Sequence, residues 1–263
     1  MAVPLSFNLT AIKLKKLLPI FSLIFLFSAC EQEAESLRFL NYAVERSSEN
    51  CDPQTEKCSF INLNFPVASG NETREMNINK EIENHLSYIL AYEDEPNIRS
   101  VEDMAEIFIQ NYEETKKDFP GYNTAWEATI YGEISYETDK LVSIQFNSEV
   151  FEGGAHGYSS ITWLNFNPET GVIYSQNEIF TEGFKSYIED RFRKEQGVPE
   201  GESINSTGLL FENDEFHLPQ NIGFDENKVI LYYNAYEIAA YADGPYRMEF
   251  SHNEISDYIK IEL

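Results

Sequence analysis

Apolar and polar residues alternate over Leu40, Tyr42 and Val44, and again over Ile61, Leu63, Phe65 and Val67. A strict period of two is the signature of half-buried strands. Between the two runs lies "NCDPQTEKC", which holds Cys51 and Cys58, so a hairpin is expected with both cysteines in its loop. The period then changes. Ile78, Ile82, Leu86, Ile89 and Leu90 fall on one face of a helix. The proline of "EDEPNIRS" breaks the pattern, and Ser100 is placed to cap a second helix with Asp103 in its first turn. Val101, Met104, Ala105, Phe108 and Tyr112 form the apolar stripe of that helix. Both stripes are expected to pack on a sheet.

Alternation returns at Trp126, Ala128, Ile130, Ile134 and Tyr136, and after the turn "ETDK" at Val142, Ile144, Phe146 and Val150. Thr162, Leu164 and Phe166 continue it, which predicts a three-stranded meander ending at the turn "NPETG". A helix over 183–196 carries Phe184, Tyr187, Ile188 and Phe192. "GVPEGESINSTG" reads as a loop, "KVILYY" and "YRMEF" as strands, and "SHNE" as a capping box opening a short terminal helix. This order predicts an α+β protein with antiparallel sheets packed with helices. Two closely associated subdomains are expected, over 37–150 and 151–263.

The first 29 residues contain Lys13, Lys15 and Lys16, no acidic residue, and the apolar run Leu17–Ala29. That run falls short of the roughly 20 residues a membrane-spanning helix needs and fits the apolar region of an export signal. Ser28 and Ala29 then precede Cys30, an arrangement that resembles the lipobox of bacterial lipoproteins. By that resemblance Cys30 is the lipidation site and Glu31 favours the outer membrane; ordinary signal cleavage with a free Cys30 is the alternative. Residues 30–36 read as a polar tether.

Processing alters the charge balance. The chain has 19 basic and 45 acidic residues, and loss of the three signal lysines leaves 16 against 45, a formal charge of −29. Such a protein repels nucleic acid and anionic membrane surfaces and attracts a cationic partner. High acidity also serves solubility alone. With Cys30 lipidated, Cys51 and Cys58 remain, without a nearby histidine to complete a zinc site. An oxidising envelope favours a disulfide between them over two free thiols.

The chemistry-bearing candidates are few. None of His85, His156, His217 and His252 belongs to an HExxH motif, and the chain has no GxSxG elbow and no phosphate-binding glycine loop. No catalytic residue, metal ligand or cofactor is assigned. "FEGGAHGY" places His156 on a glycine-rich bend, either as a general base beside Glu152 or Ser159 or as a structural residue bonded to a neighbouring strand. Farther on, Tyr232, Tyr233, Tyr236, Tyr241 and Tyr246 surround Glu237 and Asp243. Tyrosines beside carboxylates suit carbohydrate or a basic protein surface, though strand aromatics equally fill cores. The candidate binding residues are His156, Tyr158, Tyr233, Tyr236, Glu237 and Tyr241, with two of the five clustered tyrosines expected at the surface.

"GGAHGYSSITWLNFNPETGVIYSQNEIF" together with "FHLPQNIGFDENKVILYYNAYEIAAYADGPYRMEF" resembles the C-terminal domain shared by PdaC-like and RsiV-like extracellular proteins. "SFINLNFPVASG" and the two helices after it are similar to the domain that precedes it there. The resemblance spans roughly residues 55 to 258. It implies a binding module, since the RsiV region binds lysozyme and PdaC holds its catalytic domain separately. The expected partners are therefore a membrane, through the N-terminal lipid, and a cationic lysozyme-like protein or peptidoglycan. A wall-modifying hydrolase using His156 and an envelope-complex scaffold are the alternatives.

Overall fold

The computed structural model describes Met1 and residues 37–263, apart from 50, 53, 55, 56, 71 and 93–99. The signal segment, Cys30 and the 30–36 tether lie outside the described residues. Among the described residues no helix is long and apolar enough to cross a membrane.

Strand β1 (Phe39–Ser47) pairs antiparallel with β2 (Phe60–Ala68) in a register running from Phe39↔Ala68 to Ser47↔Phe60. Cys51 and Cys58 in the connecting loop are disulfide-bonded, with Cα atoms 5.6 Å apart. Helix α1 (Thr73–Ile89) buries Ile78, Ile82 and Leu86, three positions of the expected stripe. Ser100 caps α2 (Val101–Asp118) as its pattern indicates, its hydroxyl accepting from the Asp103 N–H at 3.1 Å. Both helices lie on one face of the sheet. Ile61, Leu63 and Phe65 of β2 meet Ile78, Leu86 and Phe108 in a core closed to water.

The helices carry the chain back to the end of the sheet where β2 began. Strand β3 (Glu127–Glu137) therefore runs parallel to β2, from Phe60↔Glu127 to Asn64↔Tyr131. The expectation of purely antiparallel sheets is corrected here, because a helical crossover returns the chain in its original direction. Strands β4 (Val142–Phe151) and β5 (Tyr158–Phe166) complete the meander, and the sheet order is β1-β2-β3-β4-β5. A division at residues 150/151 falls between β4 and β5, which pair over nine positions. By sheet membership the break comes after β5.

The remainder begins with α3 (Gln176–Ile179), opened by a capping box of Ser175 and Glu178, and α4 (Gly183–Glu195). Strands β6 (Asn221–Phe224), β7 (Lys228–Tyr233) and β8 (Tyr246–Ser251) form a three-stranded antiparallel sheet in that order. The terminal helix expected after "SHNE" is a single 3-10 turn, Ser256–Tyr258. Ser251 is committed to the β8 ladder opposite Lys228, although its hydroxyl does accept from the Glu254 N–H at 3.2 Å.

The second sheet sits against the first at β5. Gly223 faces Trp163 so closely that a Cβ would lie 2.2 Å from the indole. Asn165 donates to the Ile222 carbonyl at 2.7 Å, and the Ser143 hydroxyl accepts from the Phe224 N–H at 3.3 Å. Asn234, just past β7, both accepts from the Ile161 N–H and donates to the Ile161 carbonyl, each at 2.9 Å. A side-chain amide thus fills the place of a neighbouring strand at the edge of β5.

Candidate functional site

The bend between β4 and β5 reverses through Gly153 and Gly154, at φ +94° and +86°, a region costly for residues with a Cβ. It presents His156 to solvent. The ring Nδ1–H donates to the Gly157 carbonyl at 2.9 Å, and the ring stacks on Tyr241 with centroids 4.1 Å apart and planes 13° from parallel. The Tyr241 hydroxyl donates to the same carbonyl at 3.3 Å. Tyr236 lies next in line, its centroid 5.3 Å from that of Tyr241. Three rings thus form a solvent-facing rim.

Tyr236 is 58% exposed and holds φ at +73°. For a residue with a bulky side chain this backbone is strained by about 1–2 kcal/mol. Glu237 fixes the turn by accepting from the Asn234 N–H at 2.9 Å and the Gln220 N–H at 3.0 Å. Burial raises the pKa of this carboxyl, against the pull of those two N–H groups.

Behind the rim, between α1, β5 and the 234–237 turn, lies a cleft of about 560 Å³ lined by His85, Tyr88, Tyr158, Thr162, Tyr236 and Glu237 among others. His85 Nε2 and the Thr162 hydroxyl are hydrogen-bonded at 2.6 Å, and the imidazole meets Phe146 edge-on at 5.0 Å. Burial lowers its pKa to about 4, so the ring is neutral at physiological pH. The Tyr158 hydroxyl is raised by burial and by the nearby Tyr88, Glu237 and Tyr232.

Of the expected site residues, His156, Tyr158, Tyr236, Glu237 and Tyr241 converge on this rim and cleft. Tyr233 does not. It is 0% exposed, donates its hydroxyl to the His217 carbonyl at 2.7 Å, and packs against Phe192 and Phe211 in the second core. Its place at the surface is withdrawn, because Tyr233 ends a strand that is covered by the second core and turns its ring into that core. The strand bond expected of His156 is likewise corrected to a bond with its own neighbour, since the bend projects outward. Among the clustered tyrosines Tyr236 and Tyr241 are exposed, whereas Tyr232 and Tyr233 are buried. His85, Tyr88 and Asn234 escape sequence reasoning. Tyr88 carries one signal: an aromatic two residues beyond Leu86, off the apolar stripe of α1.

The arrangement offers stacking surfaces, neutral hydrogen-bonding groups and one carboxylate. Among the described residues, no carboxylate or hydroxyl hydrogen-bonds the His156 ring, and no group of three or more His, Cys, Asp or Glu is placed to hold a metal ion. Residues 53–159 match the family model described as deacetylase PdaC, and residues 176–253 match the model described as a protein of unknown function (DUF3298). A solved member of the DUF3298 family from Bacteroides fragilis NCTC 9343 shares the fold with a TM-score of 0.60, at 20% identity over 85% of this chain and 93% of that one. A DUF3298 family protein from Pseudomonas aeruginosa PAO1 does so with a TM-score of 0.57, at 18% identity over 86% and 95% of the two chains. No curated protein matched the chain.

Proposed function

We propose that this chain, which carries a PdaC domain and a DUF3298 domain in tandem, is a lipid-anchored cell-envelope protein that captures a cationic partner without catalysis. The observation that carries the reading is the exposed rim of His156, Tyr241 and Tyr236 beside a cleft containing Glu237. Exposed, mutually braced rings are the anchors protein interfaces favour, because they bury large areas at low entropic cost. Strain at Tyr236 points the same way. A glycine would occupy φ +73° at no cost, so a tyrosine held there serves something other than stability. The acidic balance supplies long-range attraction to a basic protein such as a lysozyme.

Tyr236→Gly separates binding from folding. The variant should be as stable as the wild type or more so by up to about 1 kcal/mol, while capture of immobilised lysozyme weakens by about tenfold or more. Wild-type capture should itself fall as salt rises. No capture by the wild type, or equal capture by the variant, would refute the reading. Anchoring rests on "LFSAC": Cys30→Ala should move the protein from the membrane fraction to the soluble one, and an unmodified N-terminal cysteine in the wild type would exclude lipidation.

A further inference from the structure

The helices cover one face of the five-stranded sheet, and β6–β8 cover β5 and the neighbouring ends of β3 and β4, at Tyr136 and Ser143, on the other. What stays open is a polar shelf. The strand registers set Asn64, Tyr131 and Asn147 side by side on β2, β3 and β4, ending at Ile161 on β5. The adjacent row is Asn62, Thr129, Glu149 and Ser159. These residues alternate with buried ones along each strand, so they share the uncovered face. Tyr131 is 46% exposed, and Gln145 donates to Asn147 Oδ1 at 3.2 Å, which orders both carboxamides. Where the shelf meets the second sheet there is a cleft of about 410 Å³, floored by Asn147, Glu149 and Ser159 and walled by Tyr241 and Pro245. A second hollow of about 250 Å³ continues it past Glu149 and Ser159 to Thr129 and Phe60.

We infer that this shelf is a second binding site, adjoining the aromatic rim at Tyr241, for an oligosaccharide carrying free amino groups. The face is too polar for a dry protein interface. It also presents side chains and no backbone edge, so an extended peptide laid across it would find no ladder for its own N–H and C=O groups. A sugar chain has no such requirement. Its hydroxyls both donate and accept, as do the carboxamides of Asn62 and Asn147, and the apolar face of a ring stacks on an exposed tyrosine such as Tyr131. Charge sets the class. Glu133 and Glu149 stand exposed on this face with no basic partner among the described residues, whereas Lys57 is occupied by Glu127 at 2.9 Å. Anionic polymers are repelled, and ammonium groups gain charge-assisted hydrogen bonds.

The test is calorimetric titration of the mature protein with glucosamine hexamer, N-acetylglucosamine hexamer and tetralysine. Glucosamine hexamer should bind, and the acetylated hexamer should bind about tenfold more weakly. Tyr131→Ala and Glu149→Gln change exposed positions and leave the core untouched. Each should weaken the glucosamine hexamer by about three- to tenfold, with an unshifted melting curve. Tyr236→Gly, on the rim, should leave this binding unchanged and so separates it from capture of a basic protein. Absence of binding by the glucosamine hexamer overturns the inference. So does tetralysine binding equally well, which would make the attraction one of charge alone, or a Tyr131→Ala protein that binds like the wild type.

Discussion

The two cores of this chain are closed to water by different routes. Under α1 and α2 the filling is largely aliphatic, with Ile61, Leu63, Ile78, Ile82 and Ile130 closed off between regular helices and long strands. Around β6–β8 aromatic rings take a larger share, eight of twenty buried residues against five of twenty-one among the described residues. Phe180 and Phe184 stack at 4.0 Å, and Phe192 meets the rings of Phe211, Phe216, Tyr233 and Tyr246. Here the backbone is irregular, and between α4 and β6 it makes only short 3-10 turns. Asparagine amides supply the missing ladder: Asn205 donates to the Phe211 carbonyl at 2.9 Å and accepts from its N–H at 2.8 Å, the device Asn234 repeats on Ile161. Large rings fill a core with few residues, which frees the chain from regular structure provided its polar groups find partners.

The sharpest break in this comparison is Phe192→Ala. Removing the ring at the centre of the aromatic group should cost about 3–5 kcal/mol by chemical denaturation. Amide exchange should quicken more in β6–β8 than in β2–β4; a uniform increase would show that the two cores unfold as one. Next in size is Asn234→Ala, which orphans the N–H and C=O of Ile161 and should cost about 2–4 kcal/mol. A loss below about 0.5 kcal/mol would mean that water replaces the amide without penalty.

The smallest effect belongs to the first core and to pH. His85 has a folded pKa of about 4 against an ordinary 6.5, so the unfolded chain takes up the proton first as pH falls. Stability supplied by the neutral ring is whole above pH 6.5 and declines from there down to about 4, by about 1 kcal/mol at pH 5.5. Glu237 and Glu152, both raised by burial, work in the opposite direction. The contribution of His85 is therefore read as the difference between wild type and His85→Gln, which should lose it. Parallel pH profiles for the two proteins would contradict this.

The same contrast governs what the sequence discloses. Where one face of an element is buried and the other wet, periodicity declares it: the stripes of α1 and α2 and the alternation of β2 to β4 match the structure. Strand β6 has four residues, one of them Gly223, and no period to detect. The rim was legible as a composition, tyrosines beside Glu237, but composition does not tell Tyr233 from Tyr236. That distinction depends on the turn after β7, where positive φ swings Tyr236 outward while Tyr233 continues the inward face of the strand. Asn234 resembles any turn asparagine until β5 is brought against it, a contact 73 positions distant in sequence.

The parallel pairing of β2 with β3 also orders events in time. The β1–β2 hairpin and the β3–β5 meander each close over short stretches of chain, and α1 and α2 need only local contacts. Joining Phe60 to Glu127 must instead bring together two ends of a long crossover, and the entropy of that closure is met before its hydrogen bonds and buried surface reward it. Until then the edge of β2 and the apolar stripes of both helices stay open to solvent. That interval is when the folding chain is most exposed to proteases and to its own aggregation, and the Cys51–Cys58 bond keeps the other edge of β2 covered during it by holding β2 against β1.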